Sequence, residues 1–146
     1  MSLPQTLDEV AAEFEAIDEF GGPEAKFERL GLINRLGEAL QPMPPALKVD
    51  ENQVPGCASK VWVYPLGSST GERLRFYADS NTAITKGIIA LILMAVQDKS
   101  ARQVLATDIE KQLEPLGLQQ HFSSLRTSGL KNMILKIQDT AKRLSA

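Results

Sequence analysis

The sequence predicts an α+β fold in which helices cover a small antiparallel sheet of about three strands. Two segments with helical periodicity come first, two alternating segments joined by a glycine-rich loop follow, and helical segments fill the remainder. Residues 83–97 are apolar on nearly every side, which is typical of a helix in the centre of a domain. Because helices and strands are grouped along the chain, the pattern favours α+β over a parallel α/β sheet.

The first forty residues predict two amphipathic helices. Apolar side chains recur at helical spacing over residues 7–19, and Gly21 and Gly22 end that segment. Pro23 can open a second helix that extends to about residue 40, although two internal glycines weaken it by roughly 1 kcal/mol each relative to alanine. Three prolines at residues 42–45 then predict an extended linker that packs on the surface.

Residues 60–64 and 73–78 predict the two strands of a β-hairpin. In both segments successive side chains alternate between two faces, and this two-residue period is typical of a strand. The Gly67–Gly71 loop is too short for a parallel crossover, so the pair is expected to be antiparallel. A phosphate-binding loop is disfavoured there, because no Lys-Ser/Thr pair and no helix follow Gly71. Residues 46–54 predict a further short strand or a turn.

Helices are predicted for most of the C-terminal half. Residues 79–82 are all cap formers and introduce the central apolar helix. Ser100 and Asp108 each begin a short helix, and the second continues to about residue 116, where Gly117 ends it. The last helix is expected from about residue 125 to 144, with one apolar face made of Leu130, Met133, Ile134 and Ile137.

Composition limits the class of protein. The 146 residues suit a single domain, 1–146, and 16 basic against 18 acidic residues give a net charge of −2. That balance predicts neither a nucleic-acid partner nor binding to an anionic membrane. One cysteine cannot form an internal disulfide, the N-terminus lacks a signal-peptide pattern, and no apolar run is long enough to span a bilayer. We expect a cytoplasmic protein, or its equivalent in an organelle stroma or matrix after processing.

Cys57 is the residue most open to a chemical role. It stands where a turn signal, Pro55 and Gly56, gives way to the strand at residue 60. A thiol there can be an inert buried group, a hydrolase nucleophile or a carrier of sulfur. A disulfide oxidoreductase is disfavoured because no second cysteine resolves a mixed disulfide, and a zinc site is disfavoured because the chain has one histidine and one cysteine. No cofactor is expected.

His121 and Arg126 are the two other residues considered for a functional role. His121 could pair with Cys57 in a cysteine hydrolase, although nothing in the sequence indicates that the two residues meet. Arg126 lies near the predicted start of the last helix, where the helix dipole does not favour a positive charge. It is therefore interpreted either as a ligand for an anionic partner group or as a surface arginine in an ion pair.

Three motifs in the same order resemble the SufE family over nearly the whole chain. The most specific is ENQVPGCASKVWV at residues 51–63, which contains the Gly-Cys-x-Ser-x-Val-Trp signature. The second is FYADS at 76–80 followed by ITKG at 84–87, and the third is LGL at 116–118 leading to RTSGL at 126–130. Departures are Ala58 and Lys60, where many members carry glutamine, and residues 124–125, where Pro-Ser is more usual.

The resemblance implies a SufE/NifU-like fold and a function in iron–sulfur cluster assembly. Cys57 would accept persulfide sulfur from a group II cysteine desulfurase (SufS-like or related), stimulate that enzyme, and pass the sulfur to a scaffold or other acceptor. Such a protein is sulfurtransferase-like and is not expected to turn over alone. Lys60 would raise the thiolate fraction of Cys57 if it lay nearby. The residues expected to contact the partner are Gly56, Ala58, Ser59, Lys60 and Arg126.

Overall fold

The computed structural model describes residues 2–57, 59–67, 73–118 and 124–145, with the backbone alone for 124–128. The helices are α1 (Leu7–Phe20), α2 (Ala25–Glu38), α3 (Ala83–Val96), α4 (Ala101–Ala106), α5 (Ile109–Leu113) and α6 (Ser124–Ser145). The strands are β1 (Val61–Gly67) and β2 (Leu74–Ser80). Short 3₁₀ turns lie at Gly22–Glu24, Pro45–Leu47, Asp50–Asn52 and Glu114–Leu116. The predicted α+β class is confirmed.

Strands β1 and β2 form an antiparallel pair whose register runs from Val61 opposite Ser80 to Gly67 opposite Leu74. The predicted alternation is confirmed, because one face of the pair is buried and consists of Val61, Val63, Leu74, Phe76 and Ala78. The described sheet has two strands where about three were expected. At its sides are single bridges, Gln53 with Trp62 and Leu74 with Lys99. The first cannot extend towards the N-terminus, because the 3₁₀ turn at Asp50–Asn52 ends directly before Gln53. The expected hairpin loop, residues 68–72, lies outside the described residues.

Helix α3 is the centre of the core, as its apolar composition predicts. Ten of its fourteen residues are buried, and it packs against α2, β2, α5 and α6. Its crossing with α2 is very close: a Cβ at Gly87 would lie 2.2 Å from the carbonyl oxygen of Ile33, and one at Gly37 would lie 2.6 Å from the backbone nitrogen of Gly87. Gly37 therefore weakens α2 as a helix but lets its backbone touch α3.

Helix boundaries follow local chemistry. Thr6 accepts a hydrogen bond from the N–H of Glu9 at 3.1 Å, and Ser100 forms a complete capping box with Gln103. The helix predicted from Asp108 to about residue 116 divides into α5 and a 3₁₀ turn, because the nitrogen of Pro115 has no hydrogen to donate.

Within the described ranges, no helix has the length and apolar character that crossing a membrane requires.

Candidate functional site

The loop that carries Cys57 is fixed at one end to the sheet. Val54 is buried, and its N–H donates to the carbonyl oxygen of Val61 at 2.8 Å. Pro55 and Gly56 then form an exposed turn, and Cys57 follows it. The turn thus begins at the edge of β1 and places the thiol of Cys57 beside α6.

Gly56 lets this turn lie directly on α6. Its φ of +74° is the left-handed conformation that glycine adopts without steric cost. A Cβ at this position would lie 2.3 Å from Nδ2 of Asn132. The conformation favours glycine, and any side chain here would displace the Asn132 amide, so Gly56, which is expected from the sequence to contact a partner, also has a structural role.

The thiol of Cys57 is half-buried against α6. Its Sγ donates a weak hydrogen bond to the carbonyl oxygen of Gly129 at 3.6 Å, and it packs at the edge of the hydrophobic core. Gly129 is buried, and a Cβ there would lie 3.6 Å from Cys57 Sγ and 3.9 Å from the methyl group of Met133. The sulfur therefore lies against a helix backbone at the edge of the hydrophobic core, an environment that favours a neutral thiol.

Burial raises the pKa of the Cys57 thiol above its ordinary value, because the apolar surroundings disfavour the charged thiolate. Among the described residues no charged side chain opposes this effect. The expectation that Lys60 would increase the thiolate fraction is therefore not met: its side chain is exposed and does not lower the pKa of Cys57. At rest the thiol is held protonated rather than activated.

Ser59 and Lys60 fix the other end of the loop to the start of α3. The hydroxyl of Ser59 lies 3.0 Å from that of Thr82 and accepts a bond from the hydroxyl of Thr85 at 3.4 Å. The N–H of Lys60 donates to Oδ1 of Asn81 at 3.1 Å. These bonds give Ser59 a role in holding the loop, while the exposed side chain of Lys60 remains available to a partner.

Lys136 makes a further contact, between α6 and the 3₁₀ turn that precedes this loop. Its ammonium group donates to the backbone oxygen of Glu51 at 3.0 Å. Gly129, Asn132, Met133 and Lys136 follow the i, i+3, i+4, i+7 spacing of one helix face. We call this face of α6 the seat of the Cys57 loop. Sequence reasoning identified Met133 as a core residue but missed Asn132 and Lys136, because nothing in the chain links them to a loop some 75 to 85 positions earlier.

A second group missed from the sequence lies on the outer face of the sheet. Asp79, opposite Trp62 in the register, forms ion pairs with Lys48 and, at 3.5 Å, with Lys86. The ammonium of Lys48 also lies 5.8 Å from the centroid of the Trp62 ring. Burial acts to raise the pKa of Asp79, but bonds from Lys48 and the Ser80 N–H, with the charges of both lysines, hold it below its ordinary value.

The three sequence motifs therefore meet around Cys57. The first supplies the loop, the second supplies Thr85 at the start of α3, and the third supplies Gly129 in α6. Ala58 and His121 lie outside the described residues, as does the side chain of Arg126, whose backbone forms part of the first turn of α6. The hydrolase pairing of Cys57 with His121 thus stays a hypothesis. No cluster of three or more potential metal ligands occurs in the parts of the chain that the structure describes.

Comparison with known proteins places the chain in a family. The profile described as "SufE: Fe-S metabolism associated domain" matches residues 14–141. An uncharacterised SufE-like protein of Rhizobium meliloti is 31% identical over 139 residues, which cover 94% of this chain and 95% of the relative. The cysteine desulfuration protein SufE of Wigglesworthia glossinidia brevipalpis is 30% identical over 128 residues, 88% of each chain.

Two further comparisons concern a longer relative and the fold. The chloroplastic/mitochondrial SufE-like protein 1 of Arabidopsis thaliana is 33% identical over 142 residues, which cover 97% of this chain and 36% of that protein. A solution structure of a hypothetical protein from Thermus thermophilus superposes with a TM-score of 0.70 at 20% identity, covering 99% of this chain and 98% of the other. The second match supports the fold and nothing more specific.

Proposed function

This chain belongs to the SufE family, whose members are associated with iron–sulfur metabolism, and we propose that it carries sulfur as a persulfide on Cys57. Family membership implies a sulfur-acceptor role. The finer proposal is that a group II cysteine desulfurase (SufS-like or related) supplies the sulfur, that the protein stimulates this enzyme, and that an iron–sulfur scaffold or other acceptor receives the sulfur.

The observation that carries the proposal is the way Cys57 is held. Its one described polar contact is a long S–H···O bond of 3.6 Å to Gly129, in a turn whose preceding residues, Pro55 and Gly56, are exposed. Such a bond contributes little, so the turn can leave its seat at small cost while its two ends stay fixed near Val54 and Ser59. This arrangement suits a sulfur atom that must reach into the active site of another protein.

The proposed transfer needs no oxidant or reductant. The Cys57 thiolate attacks the terminal sulfur of the partner's cysteine persulfide, the S–S bond of that persulfide breaks, and the partner's cysteine leaves as a thiolate. One S–S bond is broken and one is formed, so the zero-valent sulfur moves with no net change in oxidation state. The same exchange then delivers the sulfur from Cys57 to the acceptor.

Burial at rest complements this chemistry. A protonated and covered thiol oxidises slowly, because the thiolate is the form that reacts with oxidants. When the turn leaves α6, Cys57 loses its apolar surroundings and its pKa returns towards that of a free cysteine. The partner's active site would therefore both expose the thiol and favour its reactive form.

The test is the rate at which a group II cysteine desulfurase releases sulfide from cysteine under reducing conditions. The wild-type protein is expected to accelerate this release in proportion to its concentration, and Cys57→Ser is expected to remove the acceleration. Binding of both proteins to the desulfurase, measured by calorimetry, provides the control that the substitution removed chemistry and not docking. Equal acceleration by Cys57→Ser would refute the proposal.

A further inference from the structure

Helices α1 and α2 present an exposed surface that the sulfur-transfer proposal does not use. Phe20, at the end of α1, is 81% exposed, and Phe27, in the first turn of α2, is 67% exposed. Both are large aromatic side chains that burial would stabilise. Phe20 continues the face of α1 that contains Glu13 and Ile17, at spacings of i, i+4 and i+7.

A groove of about 610 Å³ lies between the two helices on this side. Its lining comes from α1, the turn that follows it, and α2, and includes no residue of the Cys57 loop, the sheet or α6. We call this groove, with Phe20, the α1–α2 surface. The residues that line the groove are Glu13, Ile17, Glu24, Phe27, Glu28, Gly31 and Arg35.

Gly31 leaves space on the α2 side of the groove. It does not have a positive φ, and a Cβ there would meet only the end of the Arg35 side chain, at 3.6 Å. Glycine in the middle of a helix lowers its stability, yet neither the backbone nor the packing of this chain requires one here. The missing side chain would allow close approach of a partner, in the way that Gly37 and Gly87 allow close approach of α2 and α3.

Charge indicates what kind of partner fits. Residues 7–38 contain nine of the 18 acidic residues of the chain and three of its 16 basic residues. One of those three, Arg29, is paired with Asp18 at 3.2 Å. Three glutamates and one arginine line the groove itself. This surface repels nucleic acids and anionic lipids, and two copies of it would place like charges together.

We propose that the α1–α2 surface binds a cationic amphipathic helix of a partner protein. A groove between two packed helices accepts a third helix by side-chain interdigitation, as in a helix bundle. Apolar residues of the incoming helix would cover Ile17 and Phe27 and enter the space above Gly31, and its Lys or Arg residues would meet Glu13, Glu24 and Glu28. The proposal is independent of the persulfide chemistry, because the surface contains no residue that holds Cys57.

The test uses two synthetic peptides of about 15 residues, long enough to cover a helix of the length of α1. The first places Leu and Phe at i, i+3, i+4 and i+7 with Lys and Arg elsewhere. The second has the same composition scrambled so that the apolar residues share no face. The first peptide is expected to bind with amide chemical-shift changes in α1 and α2, and to weaken as NaCl is raised from about 50 to about 500 mM. The scrambled peptide is expected to bind at least about tenfold more weakly.

Matched variants locate the binding. Phe27→Ser is expected to weaken the first peptide about tenfold, whereas Leu135→Ser, at another exposed apolar position, leaves it unchanged. Gly31→Trp is expected to abolish binding by filling the groove, and Gly31→Ala to retain it. Any one of four results would overturn the proposal. The first peptide does not bind, the scrambled peptide binds equally well, the chemical-shift changes are confined to other elements, or the protein forms a homodimer that Phe27→Ser dissociates. All variants are expected to stimulate the desulfurase like the wild type. A negative result with the peptides would therefore leave the proposed function of Cys57 untouched.

Discussion

At the scale of single residues, Gly22 and Gly56 both have a left-handed backbone but very different surroundings. Gly22 has a φ of +55° and nothing within 4 Å of the position where a Cβ would stand. Gly56 has a φ of +74° and the amide of Asn132 only 2.3 Å from that position. Comparing them separates the cost of backbone strain from the cost of displacing the Cys57 loop.

Gly56→Ala is therefore expected to destabilise the protein more than Gly22→Ala. The strain alone costs about 1 kcal/mol, and the contact with Asn132 adds to it at position 56. Either the Asn132 amide rotates away or the loop lifts to relieve that contact, and a lifted loop would make Cys57 react faster with iodoacetamide in Gly56→Ala but not in Gly22→Ala. Urea unfolding and alkylation rates measure the two effects. Adding Asn132→Ala should restore much of the lost stability, and a failure to do so would contradict the assigned contact.

The state of Cys57 gives a pH-dependent expectation. Since burial raises its pKa, the native protein should be alkylated more slowly than the urea-unfolded chain at neutral pH, and the midpoint of its rate–pH curve should lie at higher pH. Iodoacetamide kinetics over a pH series, followed by mass spectrometry, measures both midpoints. A native midpoint at or below the unfolded one would show that the thiol is activated at rest.

At the scale of secondary-structure elements, α6 packs one face on the hydrophobic core and holds the Cys57 loop with a neighbouring face. The sequence predicts its length and its apolar face correctly, because Leu130, Met133, Ile134 and Ile137 follow the helical period. It does not predict the seat of the Cys57 loop, because the contacts with Gly129, Asn132 and Lys136 join residues distant in the chain. A polar residue at helical spacing looks the same whether it meets solvent or another backbone.

Lys136→Met should weaken the contact between α6 and the 3₁₀ turn that precedes the Cys57 loop while preserving the helix. The substitution keeps the length of the side chain and removes the bond to the oxygen of Glu51, so the free energy of unfolding should fall by about 1 kcal/mol. Because Glu51 precedes Val54, which stays fixed to β1, the alkylation rate of Cys57 should change less than about twofold. Lys142→Met, at an exposed position of the same helix, is the matched control for urea unfolding. A several-fold faster alkylation of Cys57 in Lys136→Met alone would show that the loop opens from Glu51 onwards.

At the scale of the whole molecule, the arrangement of elements follows from the burial of α3. Its apolar character identifies the centre of the fold from the sequence alone, and the alternation in β1 and β2 shows which sheet face meets it. The close crossing of α2 and α3 could not be predicted in the same way. Gly37 and Gly87 weaken helices in isolation, and only their mutual contact in the folded chain explains them.

Gly87→Ala should lower the free energy of unfolding by about 3 kcal/mol, because its Cβ would lie 2.2 Å from a backbone oxygen that cannot move without shifting α2. Gly31→Ala is the matched control in α2, where the Cβ meets only the end of the Arg35 side chain, at 3.6 Å, and higher helix propensity should stabilise the protein by up to about 1 kcal/mol. Urea denaturation of both variants measures the difference. A small cost at position 87 would mean that the two helices pack further apart.

The central claim, that Cys57 receives sulfur, is tested most directly by mass spectrometry of the intact protein and of its Cys57 peptide after incubation with a group II cysteine desulfurase and cysteine. The expected result is an added mass of one sulfur atom on the Cys57 peptide, removed by dithiothreitol and absent from Cys57→Ser. An unmodified Cys57 in a protein that still stimulates the desulfurase, or the same added mass on Cys57→Ser, would contradict the account.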